Sequence, residues 1–197
     1  MVSLTHNESK VINFLLRNFS QDYNINQIAR ELHLSPRGAY KILKKLEKNQ
    51  LLRSRGIGNN FIYTLDFEQE KVQDVCQFVL TEKETTPYVR AWIRDLQPLR
   101  KLTMMVVLFG SVLTKDKQAG DIDVFLVFNQ KHFSLVQEQI KKINQIKSKK
   151  IHPLIQTKTD LSRNLQQRDP VVLNVFRTGL VLWGRNVFVE VIKHEQS

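Results

Sequence analysis

The sequence predicts an α/β chain, α+β in the order of its elements, in which three short helices and a β-hairpin precede a separate part built on a small mixed sheet. Three observations lead there. Apolar residues recur at helical spacing three times in the first 50 positions, then alternate at strand spacing over residues 61–65. Two strongly apolar runs, 104–109 and 124–128, lie further on with a polar stretch between them. Helical stripes stand on both sides of those runs, which is how a sheet comes to be covered by helices.

The elements follow in order. Thr5 and Glu8 have the spacing of a capping box, and Val11, Ile12, Leu15, Leu16 and Phe19 form the stripe of a first helix. Asn24 and Gln27 repeat the capping pattern ahead of Ile28, Ala29 and Leu32, a second, short helix. After His33-Leu34, Ser35 as N-cap and Pro36 at the first helical position start a third helix to about Asn49, with Tyr40, Ile42, Leu43 and Leu46 as its buried stripe. Leu51-Leu52 begins a strand, residues 56–60 form a turn, and residues 61–65 return as a second strand.

Three helices with a short turn between the second and third, followed by a hairpin, make a helix-turn-helix with a wing. Residues 28–36 and 43–52 resemble the core of many winged-helix transcription regulators. The resemblance implies duplex DNA as partner, with the third helix entering the major groove by its first turns. Ser35, Arg37, Lys41, Lys44 and Lys45 are the residues that helix would present, and Arg53 and Arg55 lead into the hairpin turn. Arg37 has the bidentate fork that reads guanine, whereas lysines suit phosphates. Gly38 inside a helix suggests a close approach to a phosphate or to a neighbouring helix.

Charge agrees with this. The net charge is +11, and residues 1–65 carry 10 Lys and Arg against 4 Asp and Glu. A dense positive charge favours polyanionic partners through counterion release. The single cysteine, Cys76, excludes an internal disulfide and a cysteine-based zinc site, and its helical neighbours suggest a small buried hydrophobe. No signal-type segment or apolar run of membrane-spanning length is present, so no membrane association and a cytoplasmic location are expected.

Residues 66–86 read as a helical connector: one helix over about 67–84, then a second starting at Pro87 behind Thr86, with Val89, Trp92, Ile93, Leu96 and Leu99 at helical spacing. The expected domains are therefore 1–65, the connector 66–86, and 87–197. The run 104–109 ends at Gly110-Ser111, a polar loop follows, and Asp121-Ile122-Asp123 opens the next apolar strand. Side chains two apart on a strand share a face, so the two carboxylates point the same way. Like charges placed together there are costly unless a cation joins them, and an oxygen-rich site suits magnesium. Gly110 permits close approach of backbone to a phosphate, and Ser111 offers a hydroxyl and an amide.

Gly-Ser at a strand end, nine residues, then Asp-x-Asp resembles the minimal nucleotidyltransferase family of the polymerase-β superfamily over residues 87–190, and the segment 179–184 resembles that family's helix-glycine-strand ending. The resemblance implies that Asp121 and Asp123 bind Mg2+ and orient a nucleotide triphosphate whose phosphates rest on Gly110 and Ser111. It also implies a third carboxylate on a later strand. The matching strand here is 150–156, which has no Asp or Glu; His152 is the nearest substitute as base or ligand, although a lone His before Pro is more often structural. Asp160 lies beyond that strand, where helix capping explains it. Residues 133–147 form a helix with Leu135, Val136, Ile140 and Ile143 inward, and Asp169-Pro170 starts another, with Val172, Leu173 and Phe176 buried, that ends at Gly179. Lys147, Lys149 and Lys150 read as a solvated basic run.

Two functions follow from these expectations, beside an interaction module that uses both folds as scaffolds. One is a DNA-binding protein whose second part binds nucleotide triphosphate and magnesium and transfers a nucleotidyl group, in the manner of antitoxins that modify a partner toxin. The other is a transcription regulator whose transferase domain is catalytically degenerate and serves sensing or assembly.

Overall fold

The computed structural model describes residues 3–58, 60–81 and 84–196. The chain separates into two compact units, Met1–Glu82 with Val189–Ser197, and Lys83–Phe188.

In the first unit, α1 (His6–Arg17), α2 (Ile25–Glu31) and α3 (Pro36–Lys48) precede a hairpin of β1 (Leu52–Ile57) and β2 (Asn60–Leu65). Both expected capping boxes form, Thr5 with Glu8 and Asn24 with Gln27, and Ser35 caps α3 with Pro36 behind it. Each cap satisfies amide groups that a helix start leaves without partners. The turn into α3 is made by His33 at φ +54°, with the Leu34 amide bonded to the Ala29 carbonyl at 2.8 Å. That is a Schellman ending without glycine. Gln50, at φ +53°, ends α3 in the same way, its following amide Leu51 reaching the Leu46 carbonyl at 2.9 Å.

The core of this unit is Val11, Ile12, Leu15, Leu16, Ile28, Ala29, Leu43, Leu46, Leu52, Ile62 and Leu65. Tyr40 is not part of it: 48% of its surface is exposed, and Ala39 is buried instead. Ala39, Leu43 and Leu46 hold the inner face at helical spacing, which turns Tyr40 outward. Phe19 lies past the end of α1 and is half-buried, as is Ile42. The hairpin is in regular antiparallel register, Leu52 opposite Leu65 through Ile57 opposite Asn60. Strand β1 therefore continues through Gly56 and Ile57, and the turn narrows to Gly58 at φ +56°, while Asn59 lies outside the described residues. The expected helix 67–84 is shorter, α4 (Glu70–Val79), and packs on α1 with Cys76 fully buried.

The second unit holds α5 (Pro87–Asp95), β3 (Met105–Phe109), α6 (Val112–Lys115), β4 (Ile122–Val127), α7 (Phe133–Ile146), β5 (Ile151–Gln156), α8 (Lys158–Gln166), α9 (Pro170–Thr178) and β6 (Leu180–Trp183); α10 (Arg185–Gln196) begins in this unit and ends in the other. Four strands form a mixed sheet in the order β5-β4-β3-β6. β3 is antiparallel to both its neighbours, and β4 is parallel to β5. A parallel pair needs a crossover, and α7 supplies it. Val106, Leu108, Val124 and Leu126 pack with Val89, Trp92, Leu96, Val136, Ile140 and Ile143 of the flanking helices. The other face places Phe125 edge-on to Phe176 of α9, which stacks on Phe188 at 4.4 Å.

Differences from expectation are local. Leu135 is 48% exposed, because Val136, Ile140 and Ile143 already fill the inner stripe of α7. Leu173 is half-buried, and Val175 takes a core position on α9. The polar stretch after Ser111 is ordered as α6 and a 3-10 turn over Asp116–Gln118. Gly179 ends α9 in extended conformation, φ −68°, and is needed for space: a Cβ there would stand 2.3 Å from Val107 Cγ1. No helix among the described residues is long and apolar enough to cross a membrane.

Candidate functional site

The site in the second unit is built at the N-terminal end of β4. Phe109 pairs with Asp123 across the antiparallel β3/β4 ladder, so the turn at Gly110 lies beside the Asp123 carboxylate. Gly110 has φ +74°, and a Cβ on it would fall 2.1 Å from Asp123 Oδ2. The glycine thus makes room for Asp123, in addition to any approach to a phosphate. Ser111 follows in helical conformation, and its hydroxyl caps nothing in α6.

Asp121 stands one residue before β4 and Asp123 is its second residue. On the parallel neighbour, His152 is the register partner of Asp123. Residues directly opposite on adjacent strands share a face, so His152 and Asp123 meet side by side. His152 Nδ1 lies 3.2 Å from Asp123 Oδ1. One potential ligand atom from each of Asp121, Asp123 and His152 lies within 4.8 Å of the others. The His152 side chain is 75% exposed against 22% for Asp123. An imidazole so exposed fills no core space. Among the described residues neither aspartate pairs with a lysine or arginine.

The donor set fits a divalent cation. Two ligands about 2.1 Å from an ion in adjacent octahedral positions stand about 3 Å apart, close to the His152–Asp123 separation of 3.2 Å. The side-chain-free turn at Gly110 leaves the Asp123 carboxylate in place to serve such an ion.

Other residues singled out in this part have different duties. Asp160 completes a capping box with Thr157, and its hydrogen bonds to the Thr157 hydroxyl and amide hold its carboxyl below the usual range. Lys147 pairs with Asp95 at 2.6 Å over the Trp92 ring, Lys149 donates to the Ala119 carbonyl, and Lys150 donates to the Lys147 carbonyl at 2.8 Å. Lys150 remains exposed as expected, while Lys147 and Lys149 are half-buried and tied into their own unit. A groove of about 670 Å3 runs between α7 and β5, lined by Ile140, Asn144, Ile151, Pro153 and Ile155 among others. Strand alternation puts His152 on the opposite face, so the groove and the carboxylates are separate.

In the first unit, Arg37 and Lys41 are exposed on α3 and have no ion-pair partner among the described residues. Ser35 is exposed but its hydroxyl accepts from the Gly38 amide at 3.1 Å. Gly38 itself is close to that hydroxyl, since a Cβ on it would stand 3.0 Å from Ser35 Oγ. The other four cations singled out, Lys44, Lys45, Arg53 and Arg55, carry partners. Lys44 pairs with Glu47 at 2.7 Å and lies over the Phe61 ring, and Glu47 also accepts from the Ser54 hydroxyl. Lys45 pairs at 2.6 Å with Glu8, whose side chain is only 4% exposed. Burial alone would raise the Glu8 carboxyl, but hydrogen bonds from Lys45 and Thr5 outweigh it and hold the group below its ordinary value. Arg53 reaches Glu68 at 3.3 Å and Arg55 reaches Asp22 at 2.5 Å. Helical spacing gives the Lys44–Glu47 pair, but no spacing rule finds the others: Asp22 and Arg55, for example, are brought together only by the folded hairpin.

Residues 89–174 match the family model described as "Nucleotidyltransferase domain". No curated protein matches the chain. Among solved structures, the chain is similar to ZitR of Lactococcus lactis in complex with DNA, at 23% identity over 52% of this chain and 64% of that one, with a TM-score of 0.35. It is also similar to MepR, a transcription regulator of the Staphylococcus aureus multidrug efflux pump MepA, at 14% identity over 50% and 79% of the two chains, with a TM-score of 0.37. The chain thus spans less than two thirds of that ZitR structure. The winged assignment stands on the helices and hairpin of the chain itself. The first unit thus has the three helices and hairpin of a winged helix-turn-helix, and residues 89–174 are similar to nucleotidyltransferase domains.

Proposed function

We propose that this protein is a DNA-binding regulator whose second unit binds a nucleotide triphosphate together with a divalent cation, and that nucleotidyl transfer from that site is slow. The observation that carries the reading is the convergence of Asp121, Asp123 and His152 beside the Gly110-Ser111 turn. Asp121, Asp123 and His152 would hold the ion, and Gly110 and Ser111 would receive the phosphates. The ion would supply neutralisation of phosphate charge. His152 stands in register with Asp123, where the family resemblance implies a carboxylate. An imidazole brings no negative charge to that position, which favours binding over rapid transfer.

In the first turns of α3, Arg37 and Lys41 are the cations free to meet DNA without breaking an ion pair among the described residues. Lys44, Lys45, Arg53 and Arg55 would each exchange an existing partner for a phosphate. DNA binding should therefore depend most on Arg37 and Lys41.

Calorimetry with each nucleotide triphosphate, with and without Mg2+, tests the nucleotide reading. Affinity should rise with metal in the wild type and not in the Asp121→Asn, Asp123→Asn double variant. Metal-independent nucleotide binding, equal in both proteins, would refute it. Labelled nucleotide offered with candidate protein acceptors, a toxin-type ribonuclease among them, reads transfer. For DNA, fluorescence anisotropy across a salt series should show steep salt dependence, and Arg37→Ala should lower sequence discrimination by about 1–3 kcal/mol. No DNA affinity at low salt would refute the regulatory reading.

A further inference from the structure

We propose that the Asp121–Asp123–His152 centre is a manganese-type site: His152 is an inner-sphere ligand, and it turns the preference of the centre from magnesium to a first-row transition dication. The inference rests on the reading that this centre holds a divalent cation, and goes beyond it by assigning the ion class and the residue that selects it.

The geometry points to His152 as a ligand rather than a surface partner. Its Nδ1 is 3.2 Å from Asp123 Oδ1, a hydrogen-bonding contact whose length also matches two neighbouring ligands on one ion. Asp121 brings a third donor within 4.8 Å of both. A simple histidine–aspartate pair on the surface contributes little to stability and needs no third group. It also needs no left-handed glycine. Yet Gly110, at φ +74°, gives up its side chain so that the Asp123 carboxylate can stay where His152 and Asp121 meet it. Strand register holds the His152 backbone beside Asp123, so a single side-chain rotamer brings the imidazole to the carboxylate.

The donor chemistry then selects the ion. Magnesium is hard, takes oxygen ligands and keeps much of its water. Imidazole nitrogen suits the first-row transition metals, and mixed carboxylate–imidazole sets with open positions are typical of octahedral ions of that row. Three protein donors leave positions for water or phosphate oxygens. Mn2+ accepts octahedral geometry and carboxylate oxygens as magnesium does, and also gains from the nitrogen. Binding strength along the row rises from Mn2+ to the later ions, so it is octahedral coordination with several open positions, not strength of binding, that favours Mn2+ over tetrahedral zinc at this centre.

The experiment uses the full chain, stripped of metal by chelation and without nucleotide. Mn2+ binding is read by electron paramagnetic resonance, and Mg2+ by competition. The wild type should bind Mn2+ at least about tenfold more tightly than Mg2+, and His152→Ala should weaken Mn2+ by at least about tenfold while changing Mg2+ little, since even outer-sphere partners of a metal ligand alter affinity by that much. His152→Asp should bring the two affinities together. Pulsed resonance should show nitrogen coupling to bound Mn2+ in the wild type and none in His152→Ala. Unchanged Mn2+ affinity in His152→Ala, no nitrogen coupling, or Mg2+ bound as tightly as Mn2+ would overturn the proposal. The failures are separable. Nucleotide binding that needs metal but ignores His152 would leave the nucleotide reading standing and remove this one. Mn2+ held through His152 with no nucleotide affinity would do the reverse.

Discussion

Gly110→Ala should unsettle the second unit and dismantle the metal centre by the same contact. At φ +74° a residue with a Cβ is strained by about 1–2 kcal/mol. The new Cβ would also lie 2.1 Å from Asp123 Oδ2, 3.0 Å from its Cγ and 3.2 Å from its Cβ. Rotation about χ1 can carry the oxygen and Cγ away, but Asp123 Cβ is fixed by the strand. That rotation removes the carboxylate from Asp121 and His152, so relief of the clash and retention of the site exclude each other. Overpacking of this kind costs about 1–3 kcal/mol, so the total loss should be about 2–5 kcal/mol. Both tryptophans, Trp92 and Trp183, belong to the unit Lys83–Phe188, so intrinsic fluorescence in a urea titration follows that unit. With a slope of about 2 kcal/mol per molar urea, the midpoint should fall by about 1–2.5 M. In an Asp123→Ala background the oxygen and Cγ are gone, and Gly110→Ala should cost at least about 1 kcal/mol less, as expected for residues in contact. Equal costs in the two backgrounds, or metal binding retained by Gly110→Ala, would refute the reasoning.

Other outcomes follow from the same structure. Lys45→Ala leaves the nearly buried Glu8 carboxylate without its cation and should destabilise the first unit by about 1–3 kcal/mol in a circular-dichroism melt, quite apart from any effect on DNA. Glu8 is held below its ordinary value near 4.5, so its contribution is complete above that pH and is lost as pH falls through the lower folded value; Glu8→Gln should flatten the acid limb of the stability curve. His33→Gly should raise stability by about 1 kcal/mol, because it relieves a left-handed residue in the Schellman turn between α2 and α3; an unchanged or lower melting temperature would contradict that account. Gly179→Ala has no φ strain, yet it should destabilise the second unit by about 1–3 kcal/mol through contact with Val107 Cγ1 and the Val175 carbonyl oxygen, read by the same tryptophan fluorescence.

Local physics made much of this protein legible in its sequence. Caps such as Thr5 with Glu8, Asn24 with Gln27, and Ser35 ahead of Pro36 act within four residues, so the helix starts could be read directly. The strand on either side of Gly110-Ser111 and Asp121-Ile122-Asp123 was equally plain, because apolar runs and residue spacing are one-dimensional. Helix ends were harder: His33 and Gln50 complete Schellman turns without the glycine that usually marks them. Tyr40 and Leu135 looked inward by composition and point outward, since only packed neighbours decide which of several apolar residues win the inner face. Tertiary structure decided the long-range contacts. The parallel register of β4 and β5 puts His152 against Asp123 across 29 positions of chain, and hairpin folding brings Asp22 to Arg55. Such contacts depend on register and crossover geometry, which no local spacing encodes. The chemistry of each side chain was therefore determined by the sequence, and its company by the fold.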